Sequence, residues 1–157
     1  MAKEKEEKKV TKKDIKKRPS KKKENVNKVD IDKNPYYPAS FDSDNIITVA
    51  NLGFDGQLYQ TSNYGLNSVD LAAPGTNIFV MQGKNSYGYE TGVSMATPFV
   101  SGTVATLLLV DSHLDSMELK AAICDTVTKN PSLTKKCRTG GYLNSEGAVK
   151  YVLEKKM

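Results

Sequence analysis

Histidine and cysteine are scarce in this chain: His113 is the one imidazole, and Cys124 and Cys137 are the two thiols. A zinc centre of the Cys/His type needs four such ligands at tight spacing, so it is excluded. Two cysteines make no disulfide framework; they could close one short loop in an oxidising compartment, and they leave the compartment undecided. Apolar side chains are scarce at the start, where Val10, Ile15 and Val26 are nearly all that "MAKEKEEKKVTKKDIKKRPSKKKENVNK" offers. No apolar core stands behind that charged run, so no secretory signal is expected in the chain as it stands. Long hydrophobic runs are missing too. The longest, residues 95–110, is interrupted by Thr97, Pro98, Ser101, Gly102, Thr103 and Thr106. At about 1.5 Å per residue it falls short of a ~30 Å hydrocarbon layer and reads as a core helix, with no membrane span.

Positive charge is what the first fifth has in excess. Residues 1–33 hold thirteen lysines and Arg18 against seven acids, a net of +7, whereas residues 34–157 hold nine basic and eleven acidic side chains, a net of −2. Such a segment buries too little to offset the entropy of ordering, so 1–33 is expected to be a Lys-rich disordered tail and 34–157 the folded part. Lysine runs gain counterion-release energy on polyanions, which makes those the natural contacts of the tail. No aromatic or glycine is interleaved before Tyr36, so no specific nucleic-acid binding is expected.

Pro35 and Pro38 in "NPYYPAS" impose extended structure where the folded part begins. "NIITVAN" (45–51) is apolar on both faces, as in a buried parallel strand. After a glycine-punctuated excursion, residues 69–72 and 77–81 read as short strands around the turn formers Pro74 and Gly75, and 87–90 as another. From Ser94 the chain is apolar nearly all round, as a helix enclosed by protein would be, with Ser94 as its N-cap and Pro98 near its first turn. "DSMELKAAICDTV" predicts an amphipathic helix capped by Asp115 or Ser116, and "NSEGAVKYVLEKK" a last helix capped by Ser145 with lysines at its C-terminal end. Strands first and helices later, joined by glycine turns, give an α/β layer structure.

A serine at a helix mouth just after a glycine exposes its Oγ and its own N–H to one space, at the positive end of the helix dipole. That suits a nucleophile whose substrate becomes an oxyanion; on local chemistry alone, a simple helix cap accounts for Ser94 as well. "GVSMATPFVSG" (92–102) resembles the active-site motif G-T-S-M-A-[AST]-P-H-V-[AS]-G of the subtilisin-like serine proteases, the subtilases or peptidase family S8. "YPAS…DNIITVA", "SNYG…VDLAAPGTNIF" and "GYLNSEGAV" resemble further stretches of that family in order, from Pro35 to about Tyr151. The resemblance implies the C-terminal part of a parallel-sheet, three-layer α/β sandwich.

By that resemblance Ser94 is the catalytic nucleophile and its backbone N–H one oxyanion donor, Gly92 is the glycine that lets the chain turn into the serine, and Pro98 is the early helix proline. Val93 stands where the family has threonine and Phe99 where it has histidine. The family's D-[ST]-G and H-G-T-x-V-A-G motifs do not occur in these 157 residues, and His113 matches a variable exposed position. A hydroxyl without an adjacent base is a weak nucleophile, so this chain alone is expected to be inactive. The second oxyanion donor, normally an asparagine upstream of the substrate pocket, is matched by Asn27, with Asn25 the alternative. Tyr36, Tyr37, Pro38 and Ala39 match one wall of the pocket. Asp70 and the carbonyls near Ala39 match a region that holds a cation in some members, so no cofactor is expected beyond calcium by resemblance; a solvated aspartate is the other reading.

The implied function is a serine endopeptidase acting through an acyl-enzyme on Ser94, with a peptide or protein as substrate once an Asp- and His-bearing segment is present. Truncation, a split gene or an incomplete gene model would each account for the missing motifs. The alternative is a degenerate, non-catalytic homologue kept as a binding module. For an intact member the resemblance implies secretion or the secretory pathway, and the compartment of this chain stays open. Half of such a sheet is expected to leave an apolar edge and an uncovered helix face.

Overall fold

The computed structural model describes residues 28–83 and 85–155. Asn25, Asn27 and most of the 1–33 segment lie outside them. The part of that segment inside them is folded. Ile31 N donates to Tyr64 O at 2.8 Å, Tyr64 N donates to Val29 O at 3.0 Å, and Ile31 is only 2% exposed. Asp32 fastens the same stretch, its carboxylate accepting from the N–H groups of Ser68 (2.8 Å) and Asn67 (2.9 Å). The boundary at residue 33 therefore falls too late, because a charge count over the whole segment hides one buried isoleucine.

The elements run β1 (Val49–Leu52), β2 (Leu71–Pro74), β3 (Ile78–Met81), β4 (Tyr87–Glu90), α1 (Val93–Val110), α2 (Ser116–Asp125), β5 (Thr128–Lys129), β6 (Gly141–Tyr142) and α3 (Ser145–Lys155). Four strands form one sheet in the order β1-β2-β6-β5; β1, β2 and β6 are parallel and β5 is antiparallel to β6. β3 and β4 form a separate hairpin. Side chains alternate across the sheet, as the two-residue period requires. Val49, Leu71 and Ala73 face one core with Ala96, Val100 and Leu107 of α1, Ile123 of α2 and Val152 of α3. Ala50, Leu52 and Ala72 face a second core under a layer of loops, with Ile31, Leu58, Val69, Leu133 and Cys137. All four residues of β1 are buried, which is why the segment reads as apolar on both faces.

The helix starts differ in detail from the sequence reading. Asp115 caps α2 in a full capping box, accepting from Met117 N and Glu118 N while Asp115 N donates to the Glu118 carboxylate. At α3 the capping oxygen is Asn144 Oδ1, which accepts from Gly147 N at 2.9 Å. Ser145 is already helical, and its hydroxyl lies 2.7 Å from Thr103 Oγ1 on α1. The larger correction concerns α1, which is not enclosed. It buries Ala96, Val100, Thr103 and Leu107, while Leu109 is 88% exposed and Val93, Phe99 and Leu108 are exposed as well. All-round apolarity marks surface that must be covered; it does not say that this chain covers it. With 18 residues α1 is long and apolar enough to cross a membrane by length and composition, yet its buried stripe packs on β1, β2 and α3.

Candidate active site

β4 ends at Glu90, and Thr91 and Gly92 lead straight into α1. The turn hangs from the β2–β3 connection: Gly92 N donates to Gly75 O at 2.8 Å, and Asn77 N donates to Thr91 Oγ1 at 2.8 Å. Gly92 occupies the cap position and contributes no side-chain cap, so Ser94 is not the N-cap. Ser94 is the second helical residue, it is exposed, and its hydroxyl has no hydrogen-bond partner among the described residues. Its N–H belongs to the first turn, where no carbonyl lies a turn earlier, so it points out of the helix end with the positive dipole behind it. Met95 N closes the turn onto Gly92 O at 3.0 Å. Oγ and a free N–H thus leave the same end of one helix.

The two glycines of this turn serve different ends. Gly92 has φ 166° and ψ 167°, extended backbone that any residue adopts, so the chain does not need glycine here in order to turn. A Cβ on Gly92 would meet one atom, Ser94 N at 3.8 Å, and would stand over the donor. Glycine keeps the approach to that N–H open. At Gly75 a Cβ would lie 2.6 Å from Gly92 O, 2.7 Å from Asn51 Oδ1 and 2.8 Å from Ala96 Cβ, so the connection lies directly against the serine turn. Asn51, 1% exposed at the end of β1, holds that connection through Thr76 Oγ1 at 3.2 Å. Reading "APGT" as a turn gives no sign of this support, because β3 and β4 lie between it and the motif in the chain.

Beside the helix mouth is a hollow of about 410 Å³ whose lining includes Tyr36, Pro38, Ala39, Val93 and Thr97. Three of the four predicted pocket residues therefore line one hollow together with Val93 and Thr97, the residues of α1 on either side of the serine in sequence. Tyr37 instead packs on Phe41, ring centroids 4.8 Å apart. His113 is exposed in the connection between α1 and α2, beyond the end of α1, which is itself roughly 24 Å from Ser94 at about 1.5 Å per residue. It cannot serve the serine. Cys124 is no substitute nucleophile either, since burial, reinforced by the Asp70 charge, pushes its thiol up to about 11. Both cysteines are free.

The region matched to a cation site contains Asp70, 3% exposed, and the Ala39 carbonyl. The residues present do not fit a metal ion there. Ala39 O accepts from Thr48 Oγ1 at 3.1 Å, and the Lys120 ammonium stands 3.4 Å from Asp70 Oδ1 and 2.5 Å from Ile46 O. Among the described residues no group of three His, Cys, Asp or Glu side chains could hold an ion.

Residues 22–147 match the subtilase family. Subtilisin-like protease 2 of Plasmodium falciparum is 33% identical over 124 residues, which cover 76% of this chain and 9% of that protein. Subtilisin-like protease 1 of Plasmodium vivax is 32% identical over 142 residues, 85% of this chain and 22% of that protein. Among solved structures, the A-subunit of the AB5 toxin from E. coli superposes with a TM-score of 0.69 at 30% identity, covering 80% of this chain and 48% of that one. The chain thus spans less than a quarter of these two proteases and about half of the toxin subunit.

Proposed function

This chain belongs to the subtilase family, and from that we propose that it supplies the nucleophile-bearing part of a serine endopeptidase. Ser94 Oγ would attack the scissile carbonyl, and Ser94 N–H would donate to the oxygen that becomes negative. The observation that carries this reading is the helix mouth itself: an exposed, uncapped hydroxyl and an unpaired first-turn N–H share one opening, beside a hollow lined by Tyr36, Pro38 and Ala39. The hollow would receive a substrate side chain. Its Val93 wall, where the family has threonine, keeps the shape and removes a hydroxyl.

Among the described residues the one imidazole, His113, lies beyond the far end of α1, so the 157 residues alone are expected to hydrolyse nothing at a useful rate. In subtilisin, the family's namesake, removing the histidine costs roughly 10⁶ in kcat; that figure is taken over from that enzyme. A segment carrying the Asp and His motifs would have to be supplied, and the exposed face of α1 is where it would pack. The test is fluorophosphonate labelling of the full chain with and without such a segment. Labelling that requires the segment and is lost in Ser94→Ala supports the peptidase reading. No labelling in either case would sink it in favour of a non-catalytic binding module.

A further inference from the structure

A buried carboxylate left without a counter-charge would be strongly destabilising, and Asp70, just before β2, is a buried carboxylate. Its Oδ2 accepts from Thr48 N at 2.8 Å, while its Oδ1, also buried, receives no hydrogen bond. Oδ1 faces two cations instead, Lys120 Nζ at 3.4 Å and Arg138 NH1 at 3.7 Å. They are not equivalent. The Arg138 side chain is 57% exposed and its other arm donates to Asn67 O at 2.6 Å. Lys120 reaches in from α2, is 14% exposed, and places its ammonium between the Asp70 carboxylate and the Ile46 carbonyl.

A carboxylate oxygen and a main-chain carbonyl are the hard donors that sodium or calcium would use. The ammonium uses both, and a further cation would have to enter beside Lys120 and Arg138. We propose that Lys120 is a tethered counterion that takes the place of a metal cation at Asp70, so that this part of the subtilase domain folds without metal, and that removing the ammonium opens a latent cation site on Asp70 Oδ1 and the Ile46 carbonyl. The inference is independent of whether Ser94 acts as a nucleophile.

The test uses the full chain, its Lys120→Met variant, which keeps the aliphatic stem, and Lys120→Arg, which keeps the charge. Each is melted in chelator, in sodium chloride and in millimolar calcium chloride. The native chain is expected to melt at one temperature in all three. Lys120→Met is expected to melt lower in chelator, by about 10 °C for loss of one partner of a buried pair, and to regain much of that shift when sodium or calcium is added. Lys120→Arg should stay near the native value. Calcium-dependent stabilisation of the native chain overturns the proposal, as does a Lys120→Met chain that melts with the native one in chelator. A lowered Lys120→Met midpoint that no cation restores overturns the equivalence of ammonium and metal. Should Lys120→Met not fold in any buffer, the native chain's response to calcium, together with the behaviour of Lys120→Arg, decides the matter.

Discussion

The contact between Gly75 and the serine turn gives a sharp prediction. In Gly75→Ala the new methyl would sit 2.6 Å from the main-chain Gly92 O, 2.7 Å from the buried Asn51 Oδ1 and 2.8 Å from Ala96 Cβ. Ordinary contact begins near 3.4 Å, so the turn must retreat by about 0.8 Å, and no flexible side-chain end is there to yield. Overpacking of this kind costs about 1–3 kcal/mol. Gly102, inside α1, is the control, since a Cβ there meets nothing within 4 Å and alanine gains about 0.5–1 kcal/mol over glycine in a helix. Urea unfolding followed by far-ultraviolet circular dichroism should place Gly102→Ala above the native chain and Gly75→Ala below it. The two should differ by about 1.5–4 kcal/mol, summed from these ranges. Because Gly92 O moves with Ser94, fluorophosphonate labelling of complemented Gly75→Ala should also fall, by about 100-fold for a misplacement near 1 Å. A Gly75→Ala midpoint at or above that of Gly102→Ala would refute the reasoning.

Other consequences can be measured separately. Burial pushes the Asp32 carboxyl up, but the hydrogen bonds from Asn67 and Ser68 outweigh it and hold its pKa below the ordinary 3.8. A depressed folded pKa stabilises above the unfolded value and loses that stabilisation as pH falls through the folded one. Asp32→Asn should therefore lower stability by about 1 kcal/mol at pH 7, discounted for its partial exposure, with the gap closing at pH values below 3.8. Leu109→Gln should leave the thermal midpoint nearly unchanged, because Leu109 is 88% exposed, and should reduce self-association in sedimentation experiments; a large drop in midpoint would contradict the exposed face. Cys124 in the folded chain should alkylate at pH 8 about 100-fold more slowly than in urea, as its thiol moves from 9.0 to about 11, and faster reaction would show that the site opens.

How far the sequence reveals these features depends on whether the deciding forces are local. Residues 87–90 are extended as read, and of the two caps the sequence offers for α2, Asp115 or Ser116, it is Asp115 that caps, because capping is settled within a few residues. Ser94 is not the N-cap because Gly92 O takes the first helical bonds, from Met95 N at 3.0 Å and Ala96 N at 3.3 Å, which brings Val93 into the helix; Gly92 is itself held by Gly75 O, a partner from a distant connection. The serine's place at a helix mouth was legible, and its freedom from capping was not. Ile31 went unseen because what buries it, the strand-like pairing with Tyr64, lies more than thirty residues away. Lys120 looks like any surface lysine on an amphipathic helix; only the fold brings it to Asp70.

The alternation of β1 and β2 between two cores also bears on how this molecule comes apart. Leu71 and Ala73 belong to the helical side and Ala72, between them, to the loop side, so the same four-residue strands line both. Neither layer can melt while the other keeps these strands in place, and neither can be assembled first as an independent unit. Amide protons of β1 and β2 should then exchange only through opening of the whole sheet, at one common rate, whichever core a given side chain faces.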